Sequence, residues 1–143
     1  MGLGAGYERL QALVKSLGIA KRIHWTGALP HEKAFEYISH FDIAVLPGTL
    51  ATGAPIKLFE YAAVARPIIA PNLPNLRTWF SEDEIYFVPP EDVEALVDVI
   101  KGLAATPEYA RAMGKRAQRR VQEYIWERIV AKILETAGYP VSR

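Results

Sequence analysis

Residues 42–70 read DIAVLPGTLATGAPIKLFEYAAVARPIIA, and this stretch decides the fold. It opens with a nearly continuous apolar run that Pro47 and Gly48 end, which is typical of a strand covered on both faces. A loop of mostly small residues follows, then apolar residues at helical spacing, then a second short apolar run at residues 67–70. A strand, a helix and another strand, joined by connections too long for a hairpin, predict parallel pairing.

The rest of the sequence continues this alternation. Apolar spacing predicts helices at residues 8–17, 31–39, 75–80, 92–103 and 107–137, and further strands at residues 22–26 and 84–88. We therefore predict an α/β fold, a doubly wound Rossmann-like parallel sheet with helices on both faces. We predict one domain over residues 1–143, with a C-terminal helical tail at residues 106–143.

Composition excludes several classes of function. The chain has 143 residues, half of them hydrophobic, and its 17 basic and 16 acidic residues leave a formal charge of +1. Because no overall field attracts nucleic acid or an anionic membrane, we expect neither as a partner. The lack of cysteine excludes disulfides and thiol catalysis and favours a cytoplasmic location.

The loop after the first strand of residues 42–70 is the best candidate site. Ligands of such sheets bind beyond the carboxyl ends of the strands. Residues 47–54 carry no charge, so their backbone N–H groups can approach a ligand closely, and Pro55 suits the first turn of the next helix. Free amides and the positive end of a helix dipole predict a phosphate site.

Two charged residues extend this site into the helix. Lys57, in the first turn, adds a positive charge, and Glu60, one turn deeper, is placed to accept hydrogen bonds from a diol such as a ribose. Gly27 ends the strand predicted before it, on the same side of the sheet. The predicted nucleotide-binding residues are Gly27, Thr52, Gly53, Ala54, Pro55, Ile56, Lys57 and Glu60.

Other motifs are weak. The opening MGLGAGY does not complete G-x-G-x-x-G, because Tyr7 occupies the third position, and Gly114-Lys115 is followed by Arg116 instead of Ser or Thr. The three histidines show no metal-ligand spacing, and no residues form a nucleophile–base pattern. We therefore predict no metal site, no catalytic residue and no cofactor besides a nucleotide-sugar substrate.

The order of these pieces resembles a known family. The Gly-x-Gly opening, L-G-I at 17–19, D-I-A-V-L-P at 42–47, the loop with its helix, R-P-I-I-A at 66–70, V-P-P-E-D at 88–92 and Y-x-W-E at 124–127 follow one another in that order. Together they resemble the C-terminal, sugar-nucleotide-binding half of the retaining GT-B glycosyltransferases, the glycosyl transferases group 1 family. The resemblance covers nearly the whole chain.

The resemblance implies metal-independent transfer of a sugar, with retention, from a UDP-, GDP- or ADP-sugar. In the family a pair of glutamates seven residues apart flanks the donor, and the second holds the ribose. Glu60 matches the second glutamate, whereas Thr52 occupies the position of the first. The family also has an earlier strand and helix and an N-terminal acceptor-binding domain, so we expect a fragment of a two-domain enzyme that is inactive alone.

Three alternatives stay open at this stage. Lys57 and Glu60 are also spaced as an ordinary ion pair on a helix surface. The chain is alternatively a non-catalytic nucleotide-binding or regulatory module, or a structural domain. The tail carries an apolar stripe, which we expect to be buried against the sheet domain or in a homodimer: Trp126, Ile129, Val130, Ile133 and Leu134.

Overall fold

The computed structural model describes residues 6–48 and 55–139, in two units that divide between Tyr37 and Ile38. The first unit contains α1 (Tyr7–Ser16), a 3₁₀ helix (Ala20–Arg22) and all but the last residue of α2 (His31–Ile38). The second unit contains, in chain order, β1 (Ala44–Val45), α3 (Ile56–Ala63), β2 (Ile68–Pro71), α4 (Pro74–Arg77), β3 (Tyr86–Val88), α5 (Val93–Ala105), α6 (Pro107–Val121), a 3₁₀ helix (Gln122–Tyr124) and α7 (Trp126–Thr136).

The first unit confirms both predicted helices but not the strand between them. α1 ends before Gly18, whose φ of 66° is the left-handed conformation common after a helix. The predicted strand at residues 22–26 is wrong. Ala20–Arg22 form a 3₁₀ helix, and Ile23 is extended but has no partner strand among the described residues. An extended segment becomes a strand only when another backbone pairs with it.

The second unit is built on a parallel sheet of three strands in the order β1-β2-β3. Ala44 pairs with Ile68, and Ala70 pairs with Phe87. All four residues of the central strand β2 are buried, because β2 has a neighbour on each side and helices over each face. The strand predictions at 42–46, 67–70 and 84–88 are therefore confirmed, although the strands are shorter than predicted.

Alternate residues of β2 enter two separate cores. Ile68 and Ala70 pack in one cluster with Leu58 of α3 and Ala117 of α6. Ile69 packs in the other, whose buried members are Val88, Leu103, Ala110 and Met113 from β3, α5 and α6. Since neighbouring strand residues point to opposite faces, helices cover both faces of the sheet. This arrangement confirms the predicted α/β, Rossmann-like fold.

The helix at residues 92–103 is also confirmed. Asp92 is its N-cap, and an Asp92 side-chain oxygen accepts a hydrogen bond from the Ala95 N–H over 2.9 Å. The continuous tail helix is wrong, since α6 ends at Val121 and a 3₁₀ turn separates it from α7.

Burial of the apolar stripe within this chain is also wrong. α7 has no buried residue, and Trp126 is 78% exposed. Coverage of the stripe by a second copy stays a prediction. No helix within residues 6–48 and 55–139 combines the length and the apolar character needed to cross a bilayer.

Two helical glycines give a matched test of the packing. A Cβ at Gly114 of α6 would overlap the backbone carbonyl oxygen of Ala65, whereas a Cβ at Gly102 of α5 would meet nothing within 4 Å. We expect Gly114→Ala to lower the free energy of unfolding by about 1–3 kcal/mol, because α6 must move away from α3. We expect Gly102→Ala to raise it by roughly 0.5–1 kcal/mol through lower backbone entropy in the unfolded chain. Urea unfolding measures both, and equal effects would contradict the close approach of α6 to Ala65.

Candidate functional site

The candidate site lies where β1 leads into α3. β1 is followed by buried Leu46 and exposed Pro47 and Gly48, at the edge of the sheet where the strands have their carboxyl ends. Three of the predicted site residues, Thr52, Gly53 and Ala54, lie outside the described residues. The described part of the site therefore begins at Pro55.

The first turn of α3 contains backbone donors that the helix itself does not pair. Pro55 is the N-cap, one position earlier than the predicted first turn, and its side chain forms no capping hydrogen bond. The Pro55 carbonyl oxygen accepts a hydrogen bond from the Leu58 N–H over 3.0 Å, but the amides of Ile56 and Lys57 precede the first residue that has an acceptor within the helix. Ile56 is 73% exposed, so these donors lie at the surface, where the dipole of α3 favours an anion.

Lys57 and Glu60 occupy successive turns of α3. Lys57 is exposed, Glu60 is half-buried, and Leu58, Tyr61 and Ala62 form the buried side of the helix. Lys57 takes part in none of the ion pairs formed among residues 6–48 and 55–139. A ligand role for Lys57 stays a prediction, beside the alternative of an ordinary Lys57–Glu60 surface pair.

The charge of Glu60 acts on a core residue. Tyr61 is buried and packs against Phe41, with 6.4 Å between the ring centroids. Burial raises the pKa of the Tyr61 hydroxyl, and the negative charge of Glu60 raises this pKa further. Glu60, which is half-buried on α3, thus lies within electrostatic range of the Tyr61 phenol.

The position of α3 is fixed by contacts along its length. The Phe59 ring meets Trp79, Phe80 and Tyr124 with centroid distances of 5.5, 5.6 and 5.7 Å. Near the end of α3, the Gln118 side-chain amide of α6 donates to the Ala63 carbonyl oxygen over 2.9 Å. These contacts hold the direction of the helix and hence the placement of its first turn.

The loop after β2 contains a second polar cluster, which sequence reasoning missed. The Arg77 guanidinium donates to Asn72 Oδ1 over 2.5 Å, pairs with Glu82 over 2.6 Å, and lies 4.8 Å from the centroid of the Phe87 ring. The sequence indicated the loop after residue 70 as one to search. It gave no sign of this cluster, which forms only when β3 brings Phe87 beside α4.

Gly27 has a structural reason to be glycine. Its φ of 62° is left-handed, where other residues are strained. Gly27 belongs to the first unit and α3 to the second. A ligand contact at Gly27 therefore stays a prediction.

The pKa shift of Tyr61 has a measurable effect on stability. A phenol whose folded-state pKa lies above its unfolded value of about 10 contributes its full stability below pH 10, and this contribution is lost as pH rises through the folded-state pKa. We expect the unfolding free energy of the parent to fall more between pH 9 and pH 11.5 than that of Tyr61→Phe, which has no phenol to titrate at this position. Urea unfolding across this range checks the prediction, and parallel pH profiles would contradict it.

The sequence matches a family of known proteins. Residues 1–120 match the family described as glycosyl transferases group 1. An exopolysaccharide phosphotransferase of Streptomyces coelicolor is 27% identical over 145 residues, which cover 99% of this chain but 15% of that protein. The chain therefore spans a small part of this curated relative.

Two solved structures share the fold. A sucrose-phosphate synthase of Thermosynechococcus elongatus superposes with a TM-score of 0.82 and 29% identity, over 94% of this chain and 34% of that one. The Anabaena protein HepE, solved with UDP, gives a TM-score of 0.82 at 15% identity, over 96% of this chain and 39% of that one. Because the family match covers more than half of the sequence, the chain belongs to the glycosyl transferases group 1 family.

Proposed function

We propose that this chain is the donor-binding half of a glycosyltransferase that transfers a sugar from a nucleotide-sugar to an acceptor, with retention and without a metal ion. The start of α3 at Pro55, with exposed Lys57 and half-buried Glu60 on successive turns, is the observation that carries the proposal. It lies within the part of the chain that matches the family. The lack of cysteine supports a cytoplasmic location.

The two ends of a nucleoside diphosphate suit different parts of this site. Gly53, Ala54 and Ile56 are the proposed phosphate ligands, because the dipole at the start of α3 favours negative charge. Lys57 adds a full positive charge beside them and stabilises the diphosphate as it leaves the sugar. Glu60 accepts hydrogen bonds from the ribose hydroxyls, and Thr52 occupies the sequence position of the family's first glutamate.

Structures of relatives with bound nucleotides support a uracil nucleotide among the candidates. HepE was solved with UDP, and another HepE structure, 14% identical to this chain, was solved with UDP-glucose. At 15% and 14% identity, the similarity shows a shared fold alone. This chain spans 39% and 36% of the two structures. UDP-sugars are therefore the first donors to test, followed by GDP- and ADP-sugars.

A second function has one observation in its favour. The curated relative is named as a phosphotransferase, and this chain matches 15% of its length. A segment of this kind thus also occurs in a protein named for a different transfer reaction. This favours, as the second candidate, a nucleotide-binding or regulatory module without glycosyl transfer of its own.

A thermal-shift screen of the chain with UDP, GDP, ADP and their sugars tests the proposal. A nucleotide at 100 times its dissociation constant stabilises the fold by about 2.7 kcal/mol, which is several degrees for a domain of this size. Stabilisation by one nucleotide class supports both candidate functions. No stabilisation by any nucleotide at millimolar concentration would contradict both.

Replacing Glu60 tests its assignment to the ribose. Hydrogen bonds to a charged partner are worth about 1.5–3 kcal/mol, so we expect Glu60→Gln to weaken nucleotide binding by roughly tenfold to a hundredfold. Calorimetric titration with the nucleotide selected in the screen measures the loss.

Glu108→Gln is the matched control. Glu108 is exposed and follows Pro107, which lines a pocket with Asp42 and Pro67 at the opposite, amino-terminal edge of the sheet. We expect nucleotide affinity to be unchanged by this control. Equal affinities for Glu60→Gln and the parent would falsify the ribose assignment.

The chain of 143 residues is expected to bind a nucleotide-sugar without transferring the sugar. Glycosyl transfer requires donor and acceptor in one fixed geometry, and such positioning accounts for about 7–11 kcal/mol of a barrier. This chain spans 34% and 39% of the two compared structures, and we assign acceptor binding to the remainder. Incubation with radiolabelled nucleotide-sugar and a panel of acceptors should give no product above a Glu60→Gln sample. Transfer by the parent chain alone would contradict the assignment.

A further inference from the structure

Asn72 lies at the carboxyl edge of the sheet, directly after β2. Its backbone N–H donates to the Val88 carbonyl oxygen over 2.7 Å, so the pairing of β2 with β3 continues to Asn72. Because side chains alternate along a strand, Asn72 shares a face with Ile68 and Ala70, about 7 Å along the strand from Ala70. Ile68 and Ala70 pack in the cluster that contains Leu58 of α3. Asn72 therefore lies on the α3 side of the sheet, at the edge where α3 begins.

The contacts of Arg77 lie on the same side of the sheet. The Arg77 guanidinium carbon lies 4.8 Å from the centroid of the Phe87 ring, and Phe87 packs against the same core cluster as Leu58. α4, which carries Arg77, buries Leu76 in that cluster. The polar group around Arg77 therefore shares a side of the sheet with the candidate site, whereas α5 covers the other side.

Arg77 fixes the orientation of the Asn72 amide. Arg77 Nε donates to Asn72 Oδ1 over 2.5 Å, and only the oxygen end of an amide accepts such a bond. Arg77 Nη2 pairs with Glu82 over 2.6 Å. Two polar partners and the Phe87 ring thus hold the guanidinium, and through it the amide, before any ligand binds.

The nitrogen end of this amide is available to a ligand. Asn72 is exposed, and its Nδ2 forms no hydrogen bond within residues 6–48 and 55–139. A donor that is already fixed loses little conformational entropy on binding. Since Glu82 balances the charge of Arg77, the group presents a neutral N–H donor without net positive charge. Such a donor suits a hydroxyl oxygen better than a phosphate, which binds charged donors more strongly.

We propose that Asn72 binds the sugar of the nucleotide-sugar donor, with Nδ2 donating to a sugar hydroxyl, and that Arg77 is the positioning residue of this contact. The proposal rests on the proposed function, in which the phosphates bind at the start of α3 and the ribose binds Glu60. In a nucleotide-sugar the transferred sugar is bonded to the terminal phosphate, whereas the base lies beyond the ribose. The hydroxyls of the sugar are therefore close to the start of α3, on the side of the sheet where Asn72 lies.

Calorimetry with UDP and with UDP-glucose tests the Asn72 contact, because the ratio of the two dissociation constants isolates the contribution of the sugar. If the screen selects another base, GDP or ADP and its glucose conjugate form the pair. We expect Asn72→Ala to weaken UDP-glucose binding by roughly twofold to tenfold, the usual effect of losing one neutral hydrogen bond, and to leave UDP binding unchanged. Gln122→Ala is the control, since it removes another exposed side-chain amide, and we expect it to change neither constant.

Arg77→Met tests the positioning role. Methionine keeps an unbranched chain beside Phe87 but has no N–H group, and the ion pair that it removes is exposed, so the substitution costs little stability. We expect part of the Asn72→Ala loss in UDP-glucose binding, with UDP binding and the thermal midpoint nearly unchanged. The double variant should bind UDP-glucose as Asn72→Ala does, because Arg77 acts only through Asn72. Arg119→Met, at an exposed position on α6, is the control.

The remaining outcomes separate this proposal from the proposed function. Unchanged UDP-glucose binding by Asn72→Ala would overturn the sugar contact and leave the proposed function intact. Equal losses for UDP and UDP-glucose would assign Asn72 to the nucleotide and also overturn it. Further loss in the double variant, or a lower thermal midpoint with weaker UDP binding for Arg77→Met, would overturn the positioning role. Failure of the parent to bind any nucleotide would contradict the proposed function, and this proposal with it.

Discussion

The burial of β2 on both faces is the constraint on which the rest of the second unit depends. Ile68 and Ile69 are neighbours in the chain, yet each belongs to a different core. Removing such a side chain from water is worth about 1.5–3 kcal/mol, so each face of the strand needs its own helical cover. α3 lies over one face and α5 over the other, while α6 contributes residues to both clusters. A parallel sheet with this burial has a single edge where all its strands have their carboxyl ends.

The candidate site follows from the same packing. Leu58 and Ala62 bury one side of α3 against β2, and Gly114 lets α6 approach the turn at Ala65. Phe59 is held within a group of four aromatic rings. With its apolar side fixed in this way, α3 presents Lys57 at the start of the helix and Glu60 at the boundary of the core. Lys57 and Glu60 therefore lie where the core ends and the exposed surface of α3 begins.

The features that depend on interactions between neighbouring residues were predicted correctly from the sequence. The spacing of apolar residues gave the helices, Asp92 gave a helix start, and short apolar runs gave the three paired strands. The errors concern contacts between distant segments. Residues 22–26 have the composition of a strand, but pairing needs a second backbone that the described chain does not bring to them. The break after Val121 is stabilised by the hydrogen bond from Tyr124 to Trp79, 45 residues away, which no local pattern contains. The Arg77 cluster depends in the same way on the pairing of β3 with β2.

The exposed helix α7 has no buried side chain to stabilise it against the rest of the domain. A helix of 11 residues is marginal in water, and α7 has no buried side chain to supplement its own hydrogen bonds. Its beginning is tied to the domain through Tyr124 and Trp79, but its apolar residues remain largely exposed. Any surface that covers Ile129 and Ile133 removes apolar area from water and so stabilises the helical state of α7. By linkage, any change that orders α7 raises the affinity for that surface by the same free energy. The stability of α7 and the coverage of its apolar residues are therefore one coupled equilibrium.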